Sequence, residues 1–143
     1  MPRSYLDFSS IRRTVAGPRP ETPGTTPVLL VLQLLEAVRM IREEGMEEVF
    51  LRHHAMAEAV RARATRMGYR LPGPGIRERS PTLTALQLPE GMSPGTLRAR
   101  VRESGIQIAG GLGAYKETCI RIGHMGDIRM EDVERTLDVL EGI

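Results

Sequence analysis

The chain has no tryptophan, and its three tyrosines and two phenylalanines bring aromatics to only 3%. A core drawn from such a sequence has to be aliphatic and methionine-rich, and 8 methionines are present. The same shortage argues against a protein that stacks nucleic-acid bases. Basic residues are scattered among acidic ones, for a formal net charge of +2, so no basic patch for a polyanion stands out. A single cysteine, Cys119, cannot close an internal disulfide, which points to a reducing compartment, the cytoplasm. Lysine is nearly missing too: of 20 basic residues only Lys116 is a lysine. Any chemistry that needs an amine side chain has one candidate. The N-terminal stretch MPRSYLDFSSIRRTVAG lacks an unbroken apolar run, so neither a signal peptide nor a membrane anchor is read there.

What is present fits a globular protein. The 143 residues are 41% hydrophobic and 27% charged, enough for one compact domain with shorter pieces attached. Residues 15–27, VAGPRPETPGTTP, hold too many prolines and glycines for a helix or central strand and read as an extended connector. Thr26 as N-cap and Pro27 at the first helical position then open a helix, PVLLVLQLLEAVRMIREEG, stopped by Gly45. It is apolar nearly all round through Val38. Leaving four of its leucine-sized side chains without a partner forgoes about 6 to 12 kcal/mol of burial, so this helix calls for another domain or subunit.

The next segment, MEEVFLRHHAMAEAVRARATRMG, places Val49, His53, Met56, Val60, Ala64 and Met67 on one stripe of a charged helix closed by Gly68. YRL reads as a short strand before the turn PGPG, and TLTALQL as a better one. Ser93 and Pro94 start a short helix to Glu103, ended by Gly105. IQIA and TCIRIG read as strands, and Met130, Val133, Leu137 and Leu140 mark a terminal helix. The order from residue 46 predicts an α+β fold, a small mixed or antiparallel sheet with helices on one face. The division falls between residues 1–44 and 45–143.

The densest stretch is GGLGAYKETCIRIGHMG, residues 110–126. A phosphate loop of the Gly-Lys-Ser/Thr kind is excluded by spacing, because Lys116 follows Tyr115 and precedes Glu117. Glycines 110, 111 and 113 instead suit a tight loop or a close backbone approach. Cys119 has no CxxC partner and reads as a packed thiol. His53 and His54 are adjacent and point about 100° apart on a helix; His54 and Glu58 read as a solvated pair, so no metal site is assigned. In ETCIRIG the alternation sends Ile120 and Ile122 to one face and Cys119, Arg121 and Gly123 to the other. Arg121 is then either a solvated sheet-face arginine or a bidentate fork for a carboxylate, with Gly123 leaving space beside it.

SYLDF, TPGTTPV leading into the apolar helix, SPTLTALQLPEGM, GIQIAGGLG and IRIGHMGDIRMEDV occur in this order. Together they resemble the C-terminal part of class V aminotransferases, nearest the alanine–glyoxylate, serine–glyoxylate and serine–pyruvate enzymes, which are pyridoxal-phosphate proteins of fold type I. The resemblance runs over essentially the whole chain. It implies that Arg121 binds the substrate α-carboxylate and that Thr25 reaches across a homodimer interface to the cofactor phosphate of the partner subunit. It also implies that residues 1–44 comprise a large-domain tail, the connector and an interdomain helix, and that residues 45–143 are the small domain. The Schiff-base lysine, the aspartate facing the pyridine nitrogen and the ring-stacking residue belong in such enzymes to a large domain that would precede Met1. Lys116 is not in the cofactor-lysine motif, so this chain alone is expected to be catalytically silent. A cysteine desulfurase, the rival within the superfamily, needs a reactive cysteine on a mobile loop, whereas Cys119 falls in a strand. Outside enzymes, the alternative is a stand-alone small-carboxylate-binding or dimerisation module.

Overall fold

The computed structural model describes residues 7–22, 24–73 and 79–143. Most of SYLDF and the second half of the PGPG turn lie outside the described residues. The chain divides into two compact units, Met1–Glu43 and Glu44–Ile143.

The first unit opens with a helix absent from the sequence reading, α1 (Phe8–Val15). Asp7 caps it, its carboxylate accepting the Ser9 N–H at 3.0 Å. The described residues after α1 are bends and irregular backbone, with the Glu21 N–H donating back to Thr14 O at 3.2 Å, and α2 (Val28–Glu44) comes next. The Pro27 carbonyl accepts the Val31 N–H at 3.1 Å, so Pro27 stands at the cap, one position earlier than predicted. Leu29, Leu30, Leu32, Leu34 and Leu35 are all exposed. The polar end of α2 is laced by Arg39, which donates through Nε and Nη2 to both oxygens of Glu36 at 2.9 and 2.6 Å.

In the second unit Gly45, at φ 91°, ends α2 and lets α3 (Met46–Arg66) begin at the next residue. This unit continues through β1 (Leu83–Gln87), α4 (Pro94–Glu103), β2 (Ala109–Gly110), a 3-10 turn (Gly113–Tyr115), β3 (Cys119–Gly123) and α5 (Met130–Glu141). The sheet is antiparallel in the order β1-β3-β2. Alternation turns Leu86, Ile120 and Ile122 into a core shared with the stripe of α3 and with α4 and α5. This is the expected α+β arrangement. His53, Met56, Val60 and Ala64 of the α3 stripe are buried, while Val49 and Met67 at its ends are half-buried.

Two predicted strands are shorter than read. YRL contributes one bridge, Arg70 to Gln87, because Pro72 two residues on has no N–H to extend the ladder. IQIA pairs only from Ala109. The Ile106 N–H is taken by Val101 O at the close of α4, and the Ile108 carbonyl by Arg98 Nε at 3.2 Å. Arg52 fixes the loop beyond β3: it grips both oxygens of Glu44 at 2.5 and 2.9 Å and donates to Ile128 O at 2.7 Å.

Candidate carboxylate site

Arg121 sits in the middle of the central strand, directly opposite Ala85 of β1 and Ala109 of β2. Methyl side chains on both flanks leave its half-buried side chain free to lie along the sheet. Its Nε–H donates to Gly110 O at 2.7 Å. Among the described residues no carboxylate pairs with it, and its two Nη groups have no protein acceptor. A cation anchored by Nε with both Nη groups free can take a planar carboxylate in two parallel charge-assisted bonds. Gly123, on the same face, is exposed, and a Cβ there would meet only the Met125 methyl, at an ordinary contact distance of 3.6 Å.

The glycine stretch before β3 is closed on itself. The Gly111 N–H donates to Cys119 O at 2.8 Å, so it is not offered to a phosphate. Gly113 adopts φ 54° at the start of the 3-10 turn, and Lys116 follows, exposed. Cys119 is buried at 1% exposure although it shares the face of Arg121, so that face is covered at its Cys119 end. Thr25 lies in the first unit, exposed, with no hydrogen bond from its hydroxyl to any described residue. Among the described residues no pyridoxal phosphate site is composed: the one lysine is in an exposed turn, and its sequence neighbours Tyr115 and Glu117 are exposed with it. What Arg121 offers is a planar cation anchored through Nε.

His124, directly after β3, has no role in the sequence reading. It is fully buried, with Nε2 2.9 Å from Thr84 Oγ1 and Nδ1 without a hydrogen-bond partner among the described residues. Desolvation, with smaller contributions from nearby Arg61 and His53, holds its imidazole below the ordinary 6.5. It ties the end of β3 to β1 in its neutral form. The unfolded chain therefore binds a proton that the folded chain refuses. This ring's contribution to stability is complete above about pH 6.5 and is lost as pH falls from there toward the depressed folded value. An NMR titration is expected to find this ring neutral at pH 6.5, with the denaturation midpoint lower at pH 5.5 than at 7.5. A ring half-protonated at or above 6.5 would contradict this account.

No protein-family model matches the chain. Among curated proteins it is 31% identical over 128 residues to the serine–glyoxylate aminotransferase of Methylorubrum extorquens, covering 88% of this chain and 31% of that protein. It is 31% identical over 144 residues to a Synechococcus protein described as the small subunit of a soluble hydrogenase, covering 100% of this chain and 36% of that protein. Among solved structures, the alanine–glyoxylate aminotransferase of Nostoc superposes with a TM-score of 0.85 at 30% identity, over 98% of this chain and 37% of that one. The chain matches a C-terminal part of class V aminotransferases. It spans about a third of the length of these relatives, and its α+β unit corresponds to their small domain. Among the described residues no helix is long and apolar enough to cross a membrane.

Proposed function

We propose that the chain is the substrate-carboxylate-binding C-terminal portion of a cytoplasmic, pyridoxal-phosphate-dependent aminotransferase. The reaction moves an amino group between a small amino acid, alanine or serine, and a 2-oxo acid, glyoxylate or pyruvate. The observation that carries this reading is Arg121: a guanidinium fixed on a central strand by one backbone bond, with both Nη groups open and no carboxylate pairing with it among the described residues. Amino donor and oxo-acid acceptor share one feature, the α-carboxylate, and the same fork holds each in turn. Residues 45–143 serve as the small domain, and residues 1–44 as the tail of a large domain, connector and interdomain helix. Thr25 offers its hydroxyl to the cofactor phosphate of the partner subunit in a homodimer. Pyridoxal phosphate supplies the electron sink when bound, and the residues that tether it are not among these 143.

A polypeptide of these 143 residues, mixed with pyridoxal phosphate, alanine and glyoxylate, is expected to form pyruvate no faster than the same mixture without it. Glyoxylate alone is expected to bind it saturably. Turnover by the chain unaided would refute the division of labour, and absence of any saturable binding would refute the carboxylate site. Binding without need of a partner domain is also what a stand-alone carboxylate module would show, and the open fork favours that as the second reading.

A further inference from the structure

We infer that Gly111 is a positioning residue for Arg121, acting through the Gly110 carbonyl to leave only the far end of the guanidinium for a ligand. The inference rests on the carboxylate reading of Arg121 and specifies how that carboxylate is met.

A guanidinium offers two bidentate sides, one through Nη1 and Nη2 and one through Nε and a single Nη. Here the Nε–H is held by Gly110 O at 2.7 Å. The second side is therefore closed, and a planar carboxylate has to be taken end-on by the two Nη groups. The direction of that fork follows the direction of the Gly110 carbonyl, which belongs to the peptide joining Gly110 to Gly111.

That peptide is confined from both sides. A Cβ on Gly110 would come within 3.2 Å of Arg98 Nη1, the end of a side chain that can give way. A Cβ on Gly111 would sit 2.0 Å from Tyr115 O, 2.6 Å from Tyr115 C and 3.2 Å from Cys119 O, all backbone. Those backbone atoms are not free to swing aside. Tyr115 N–H donates to Leu112 O at 3.0 Å, Thr118 N–H to Tyr115 O at 3.3 Å, and Gly111 N–H to Cys119 O at 2.8 Å. Gly111 is also absent from the glycines with positive φ. Its backbone angle suits any residue, and what demands glycine there is space. With a methyl group in that space, either the turn at Gly113–Tyr115 or the 110–111 peptide has to move, and the second displaces the acceptor that aims Arg121.

The test uses the 143-residue chain labelled with 15N, with the Arg121 Nε–H resonance assigned by its loss in Arg121→Lys. In the wild type this Nε–H is expected to be protected from exchange, and glyoxylate is expected to perturb the Nη groups while leaving Nε in place. Gly111→Ala is expected to lose the protection and to weaken glyoxylate binding about 10- to 100-fold, the scale of a misplaced binding group. Gly91→Ala is the control: it strains a glycine at φ 84° with open space around it, and it is expected to leave both readouts unchanged. Unaltered protection and affinity in Gly111→Ala would overturn the inference, as would an unprotected Nε–H in the wild type. If Gly111→Ala does not fold, the wild-type titration decides, because glyoxylate displacing Nε from Gly110 O would overturn it and glyoxylate shifting only Nη would uphold it. Protection without any response to glyoxylate would leave the positioning intact and remove the carboxylate reading instead.

Discussion

Replacing Arg121 with alanine is expected to weaken glyoxylate binding about 10- to 100-fold, the equivalent of ~1.5 to 3 kcal/mol from charge-assisted hydrogen bonds. Calorimetry or an NMR titration of the 143-residue chain reads this directly. Fold stability should change far less, because the side chain is only half-buried and gives the protein one bond, Nε to Gly110 O, worth about 0.5 to 1.5 kcal/mol. Arg121→Lys is expected to behave like the alanine variant. An ammonium carries the charge, but it cannot hold Gly110 O and grip a carboxylate with two parallel donors at once. Full affinity in Arg121→Lys would show that charge alone suffices. Full affinity in Arg121→Ala would place the ligand elsewhere.

Ile120→Ala is expected to cost about 2 to 5 kcal/mol, the range for emptying a large buried aliphatic position. Ile120 is 0% exposed on the central strand, opposite the equally buried Leu86 and beside Gly110, which has no side chain to fill a hole. For a domain of about this size each kcal/mol lowers the melting temperature by roughly 4 to 8 °C, so a drop of about 10 °C or more is expected in a thermal melt. Small domains hold only about 5 to 15 kcal/mol in total, which puts this variant near the limit of folding. A loss below about 1 kcal/mol would mean that the three helices can close over the gap, and that the sheet centre is less tightly packed than it is drawn.

Local signals carried most of the fold. The 3.6-residue stripe of Met56, Val60 and Ala64, the Ser93–Pro94 opening of α4 and the Val133–Leu137–Leu140 face of α5 are each written within a few turns of sequence. The two-residue alternation around Ile120 and Ile122 was enough to single out Arg121. α1 is not legible because its eight residues hold only three large apolar positions, Phe8, Ile11 and Val15, too short a periodic run to mark a helix on its own. YRL and IQIA were overextended because β propensity does not reveal that the Ile106 amide is taken by α4 or that Pro72 ends the ladder. Pairings distant in sequence were out of reach altogether. No spacing rule places Ala85 and Ala109 beside Arg121, sets His124 against Thr84, or puts the Tyr115 carbonyl where a Gly111 side chain would go.

The two-residue strand β2 is the outermost of its sheet, and alternate carbonyls along such a strand point outward. Those of Ile108 and Gly110 are already occupied, one by Arg98 Nε and the other by Arg121 Nε. Free outward carbonyls at a sheet margin invite strand addition by a neighbouring molecule and, from there, aggregation. The arginine proposed as the substrate clamp is thus also one of two side chains that keep this margin closed, so losing it would leave a sticky border as well as an empty fork.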